Sequence, residues 1–170
     1  MKKIFSFVVV FAGLVIFGTN VYSQSVISGT FALRNPQTGK DVRPYRAGTA
    51  DGNKIILYPH QEWKCMTWNF KHIDGTTYQL ENLFTGKTFQ ASSAVKAGVT
   101  LWQQPLADND KSQYWEFISQ GNDTYLIRLS GTQFYITTSS DDTDSNIILM
   151  PRQDNPTRQL WALVEQSPTF

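Results

Sequence analysis

Cysteine is almost missing from this chain: Cys65 is the only one in 170 residues. No internal disulfide can form, so packing must hold the fold. Charge is also sparse, at 17% of residues, with no basic run and no Lys/Arg-rich face. That composition excludes the electrostatic footprint of a nucleic-acid binder and speaks against binding to anionic membranes. Histidine is confined to His60 and His72, which flank Cys65 in sequence. A Cys–His nucleophile needs an orienting third group and an oxyanion donor, and the sequence offers neither, so no catalytic residue is assigned. Scattered acids such as Asp51, Glu62 and Glu81 single out no glycosidase pair. The oxygen-rich run Asp141 to Asn146 lacks the spacing and the glycine of a calcium loop. It reads as a solvated turn, and neither a metal nor a cofactor is expected. A helical period of useful length is missing throughout.

Apolar runs long enough to cross a bilayer are missing too. The stretch from Ile4 to Phe17 is 14 residues, short of the roughly 20 that a span requires. It follows Met1-Lys2-Lys3 and precedes Val21-Tyr22-Ser23, the arrangement of a secretory signal peptide cut after Ser23. No cysteine near the cut offers a lipid attachment point. Residues 1–23 are therefore read as a leader, and residues 24–170 as one secreted domain that does not insert into membrane. Without Lys2 and Lys3 the 15 basic residues fall to 13 against 14 acidic ones, a net charge of −1. A monomer is expected.

What the chain has is repetition. Trp68, Trp115 and Trp161 lie 47 and 46 residues apart. The last two sit in Gln113-x-Trp115 and Gln159-x-Trp161, and Met66 replaces the glutamine in the first. Gly29, Gly75 and Gly121 open three units at spacings of 46, giving repeats of about 29–74, 75–120 and 121–166. Within each, an alternating apolar segment (Phe31/Leu33, Tyr78/Leu80, Tyr125/Ile127) marks a strand with one buried face. A glycine turn follows (Gly39, Gly86, Gly131), and three residues on an apolar side chain (Val42, Phe89, Phe134). After a polar loop come the short runs Ile55 to Tyr58, Val99 to Trp102 and Ile147 to Met150, and then the Trp strand. Four strands per unit and twelve in all are expected, with no helix. Units this small cannot bury a face alone, whereas three closing on one another remove the exposed edges. The expected fold is all-β, a β-trefoil with three four-stranded repeats about a pseudo-threefold axis.

The motifs Tyr78-x-Leu80-x-Asn82, Thr85-Gly86-Lys87, Leu101-Trp102 and Gln113-x-Trp115, present in three copies over residues 24–170, resemble the ricin B-type lectin family. The resemblance implies a non-catalytic carbohydrate-binding module whose partner is a glycan or polysaccharide. The motif tryptophans are expected in the core, and Gln113 and Gln159 are expected to fix loops by hydrogen bonds to backbone. The family's stacking aromatic at the end of the third strand is expected at Trp102 and, in the first repeat, at Tyr58, with Met150 replacing it in the third. A pyranose lays its C–H face on such a ring while fixed polar groups meet its hydroxyls. The family's acid, taken four residues beyond the turn glycine, falls on Arg43, Gln90 and Tyr135. Its asparagine before the motif glutamine falls on Cys65, Ser112 and Arg158. The second repeat, with Trp102, Gln90 and Ser112, is the expected site and Tyr58 a weaker one. Cys65 is expected to be a free, buried thiol. A secreted trefoil protease inhibitor using the loops 46–54 and 139–146, or a module that binds another protein, stands as the alternative.

Overall fold

The computed structural model describes residues 25–169; the expected leader, residues 1–23, lies outside them. Alternating side chains build twelve strands: β1 (Thr30–Asn35), β2 (Lys40–Pro44), β3 (Ile55–Pro59), β4 (Trp68–Asp74), β5 (Thr77–Asn82), β6 (Lys87–Ala91), β7 (Leu101–Pro105), β8 (Trp115–Gly121), β9 (Thr124–Leu129), β10 (Phe134–Thr138), β11 (Ile147–Pro151) and β12 (Leu160–Glu165). The only helical pieces among the described residues are short 3-10 turns. Each repeat opens its fourth strand on the motif tryptophan or the residue before it.

Six strands form a closed ring. β1 pairs with β4, β4 with β5, β5 with β8, β8 with β9, β9 with β12, and β12 returns to β1, every pair antiparallel. Closure leaves no ring strand with an unpaired edge, which is how three small units stabilise one another. The other six strands make the hairpins β2–β3, β6–β7 and β10–β11. Three isolated bridges link these hairpins cyclically: Lys54 with Trp102, Thr100 with Ile148, and Asn146 with Ile56. A six-stranded barrel with a triplet of hairpins is a β-trefoil.

Trp68, Trp115 and Trp161 are fully buried. Phe89 joins two of them, its ring 5.0 Å from Trp68 and 5.1 Å from Trp115. Each such ring removes roughly 150–250 Å² from water, worth several kcal/mol at roughly 25 cal/mol per Å². Asn82 explains how the repeats stay in step. Its Nδ2 donates to the Cys65 carbonyl at 2.9 Å while its Oδ1 accepts from the backbone N–H of Phe84 and of Thr85. Asn35 joins the first repeat to the third in the same way, donating to the carbonyls of Thr157 and Leu160.

Two sequence alignments shift by two residues. Val42, Phe89 and Ile136, not Phe134, share one place, because Lys40, Lys87 and Phe134 each begin their hairpin opposite Pro59, Pro105 and Pro151. Likewise β7 begins at Leu101, so Trp102 corresponds to Ile56 and Ile148, not to Tyr58 and Met150. A two-residue slip keeps every side chain on its original face, so the apolar pattern alone does not detect it. The prolines do: Pro59, Pro105 and Pro151 recur at a constant spacing of 46.

Candidate functional site

In each repeat a short 3-10 turn folds onto the outer face of its own hairpin. In the second repeat the turn Lys111–Gln113 carries the motif glutamine. The buried Gln113 donates from Nε2 to the Pro105 carbonyl at 3.0 Å and to Gln90 Oε1 at 2.9 Å. Its Oε1 accepts from the Ala107 N–H at 3.0 Å and from Gln79 Nε2 at 2.7 Å. In the third repeat Gln159 donates to the Pro151 carbonyl and to Thr137 Oγ1 and accepts from the Gln153 N–H. Both glutamines hold loops, as the sequence implies.

The second-repeat residues come together only in part. Gln90 and Trp102 stand opposite each other across β6 and β7. The Gln90 carbonyl is occupied by Gln113. The Ser112 hydroxyl donates to Asp110 Oδ1 at 2.7 Å, which caps the turn. Trp102 is half-buried and packs on the neighbouring repeat, where a Cβ added to Gly52 would sit 3.6 Å from its ring. Trp102 thus closes the joint between the first two hairpins.

The acid–aromatic pair lies in the first repeat. Asp41 is directly opposite Tyr58 in the β2–β3 ladder. The corresponding pairs are Thr88 with Gln104 and Tyr135 with Met150. Counting four residues from the turn glycine passes over Asp41 and lands on Arg43. In the third repeat the same count lands on Tyr135, because Gly131 sits two places earlier in its turn; the counterpart of Arg43 and Gln90 there is Thr137. The signal in the sequence was Lys40-Asp41-Val42 aligned with Lys87-Thr88-Phe89, which puts Asp41 level with Thr88.

Asp41 is fully buried and heavily bonded. Arg34 donates to it from Nε at 2.8 Å and from Nη2 at 3.3 Å, and His60 donates from Nδ1 at 2.6 Å. This leaves His60 Nε2 facing outward, 3.6 Å from Glu62 Oε1. Met66 replaces the loop glutamine and is fully buried. The Arg43 guanidinium lies 3.7 Å from the centre of the Tyr58 ring and 5.8 Å from that of Trp63, a cation–π arrangement. The Tyr58 and Trp63 rings are 6.4 Å apart. Beyond Trp63 an open apolar cavity of about 430 Å³ is lined by Ala47, Trp63, Cys65 and Phe84. Cys65 is free and buried. Burial pushes its thiol pKa up, although the Arg43 charge opposes this.

His60 bonds Asp41 and His72 bonds the Gly75 carbonyl, so neither histidine pairs with Cys65. Among the described residues no three His, Cys, Asp or Glu side chains gather as a metal site. In the acidic loop Asp141 is held by Arg158 at 3.0 Å and by Gln37 at 3.1 Å, a structural use of that carboxylate.

The comparisons with known proteins agree with this architecture. The family described as ricin-type beta-trefoil lectin domain-like matches residues 59–150. Among solved structures, the designed threefold-symmetric protein ThreeFoil superposes with a TM-score of 0.75 at 20% identity, over 80% of this chain and 98% of that one. The Rhizoctonia solani agglutinin gives 0.73 at 18% identity, over 84% and 99%. The Macrolepiota procera ricin B-like lectin, solved in complex with lactose, gives 0.68 at 16% identity, over 84% and 99%. No curated protein matches the chain in sequence. The matched segment covers more than half of the chain and runs from the end of β3 through all of the second repeat into β11, so the protein belongs to the ricin-type β-trefoil lectin domain-like family.

Proposed function

We propose that this protein is a secreted, non-catalytic carbohydrate-binding module whose first repeat holds the principal sugar site. The observation that carries the reading is the register of Asp41 opposite Tyr58. Arg43 covers one face of the Tyr58 ring, and the other face is offered to the C–H side of a pyranose. Asp41 is too deeply buried to meet the sugar as it stands. Its part is to fix Arg34 and His60, so that the outward His60 Nε2, the Arg34 edge and the exposed Glu62 present donors and acceptors at the rim. Trp63 extends the floor. The family membership and the lactose complex of the Macrolepiota procera lectin support a glycan as the partner.

One ring and a few polar groups hold a single sugar at about millimolar Kd, roughly −4 kcal/mol. Engagement of a polymer through more than one site raises avidity by about 10²-fold or more. Residues 1–23 are removed on secretion, and the domain acts as a monomer outside the cytoplasm. Intact-mass measurement of the exported protein checks the cut.

A glycan array followed by titration of the best polysaccharide tests the site. Tyr58→Ala is expected to remove most binding, and Trp102→Ala is expected to leave it within about twofold. The reverse result moves the site to the second repeat, with Gln90 and Ser112 beside Trp102. A wild-type protein that binds no glycan but inhibits a protease overturns the reading in favour of an inhibitor.

A further inference from the structure

A second concavity lies between the β2–β3 loop of the first repeat and the β10–β11 loop of the third. Its volume is about 490 Å³, within the roughly 300–1,000 Å³ of small-molecule sites. Tyr45 supplies apolar surface, Ile56 lies buried at the base, and Asn53, Lys54, Asp144 and Asn146 supply polar groups around it. Asn146 and Ile56 are the residues that bridge the two hairpins here. At the place corresponding to Ile56 the second repeat has Trp102, whose ring covers Gly52. Ile56, smaller than Trp102, is itself buried and covers no neighbouring loop in this way, which leaves the hollow between the two loops.

Both walls are held before any ligand arrives. The Asp144 N–H donates to the Leu57 carbonyl at 2.8 Å, and the Leu57 N–H donates to the Ser145 carbonyl at 2.9 Å, which locks the third-repeat loop against β3. On the other side the Gly52 N–H donates to the Gln103 carbonyl, the Gln103 N–H to the Asn53 carbonyl and the Tyr45 N–H to the Lys54 carbonyl, at 2.7 to 2.8 Å. Asn53 Nδ2 is spent on the carbonyls of Tyr45 and Gly48, which fixes its side chain. The backbone adopts positive φ without glycine at Arg46 (51°), Ala47 (53°) and Asp144 (64°) in these two loops. Such conformations persist where the surroundings impose them and often accompany ligand sites. Against this fixed backbone, the side chains of Lys54, Asp144 and Asn146 form no hydrogen bond or ion pair with other described residues.

We propose that this concavity is a second saccharide site, one that takes a neutral hexopyranose unit of the same glycan; it rests on the carbohydrate-binding reading above. The chemistry selects that ligand. Lys54 only donates, the Asp144 carboxylate only accepts, and Asn146 does both. A ring of hydroxyls, each both donor and acceptor, satisfies all three at once. An anion meets Asp144 and a cation meets Lys54, so a charged ligand gains on one side and loses on the other. The partly exposed Tyr45 ring lies under the C–H face. A preformed site avoids the ordering cost of loop closure, and two sites on one domain give the avidity that a polymer ligand requires.

The test is amide chemical-shift mapping of the full domain with galactose, glucose and mannose, each titrated to saturation, and with the double variant Asp144→Ala/Asn146→Ala alongside. Both residues lie on a surface loop outside the barrel core, and the unperturbed spectrum of the variant reports its folding. Shifts at Gly52–Lys54 and Asp144–Asn146 are expected in addition to those around Tyr58. The double variant is expected to weaken the loop-site Kd by about tenfold, the loss of roughly one or two hydrogen bonds, while the Tyr58 site stays within twofold. Shifts confined to residues around Tyr58 overturn the second site and leave the carbohydrate reading standing. Shifts nowhere, with any of the three sugars or with the best array glycan, overturn both.

Discussion

Asp41 and Tyr58 face each other across β2 and β3, and the same two places hold Thr88 with Gln104 and Tyr135 with Met150 in the other repeats. One fold used three times therefore sets an acid opposite an aromatic ring in a single copy. The three repeats share the elements that make the barrel and diverge in the hairpin face that would meet a ligand. Arg34 and His60 gather on Asp41 because a buried carboxylate needs donors on its lone pairs.

The three motif tryptophans are equally buried but unequally bonded. Trp68 Nε1 donates to the Val42 carbonyl and Trp161 Nε1 to the Ile136 carbonyl, each at 3.0 Å. Trp115 Nε1 is buried without an acceptor. Replacement by Phe strands a buried carbonyl at the first two positions and removes an unsatisfied donor at the third. Trp115→Phe is expected to cost about 1 kcal/mol less than Trp68→Phe or Trp161→Phe. Urea unfolding of the three variants measures it, and an equal or larger loss for Trp115→Phe contradicts the bonding pattern.

Gln113 ties four partners with one amide. Gln113→Ala leaves the Ala107 N–H and the Pro105 carbonyl without that partner and is expected to destabilise the domain by about 2–3 kcal/mol. Gln113→Met, which imports the residue the first repeat carries at Met66, restores volume but no bond. It is expected to recover less than half of the loss. Full recovery would show that the glutamine packs and does not cap.

Cys65 combines burial with a raised pKa, the effect of burial exceeding that of the Arg43 charge. Thiolate, not thiol, reacts. Labelling at neutral pH is expected to be slow in the folded protein and fast in denaturant. Rapid, complete labelling under native conditions would mean that the cavity beside Trp63 gives free access to an ionised sulfur.

Glu116 provides a pH handle. Burial raises its pKa, but hydrogen bonds from Arg128, Ser130 and the Gly131 backbone and the Arg128 charge outweigh that and leave it below the ordinary value of 4.5. A lowered folded-state pKa means that the unfolded chain binds the proton more readily. The contribution is fully present above the unfolded value and is lost as pH falls through the folded one. Stability is expected to drop on that acidic limb, and Glu116→Gln is expected to flatten the drop while lowering stability at neutral pH. An unchanged acid limb in the variant would assign it to other carboxylates.

The period of the tryptophans determined the trefoil, because a unit that cannot bury its own face repeats only when its copies close on one another. Alternation determined the twelve strands and the burial of Trp68, Trp115 and Trp161, and the phase of Gln113 and Gln159 determined their loop-holding bonds. Trp102 and Gln90 stand opposite each other across β6 and β7. The Asp41–Tyr58 pair did not follow from the repeat pattern, since the pattern of a strand is blind to a slip of two residues and places Tyr58 and Trp102 on the same face whichever way the repeats are aligned. Only the ladder between β2 and β3 showed that Asp41, and not Arg43, stands opposite Tyr58. Only packing between hairpins showed that Trp102 closes a joint over Gly52. Strand identity is a property of local alternation, which the sequence carries residue by residue. Which side chains share a site depends on register and on contacts between repeats, which hydrogen bonds set after the chain has closed.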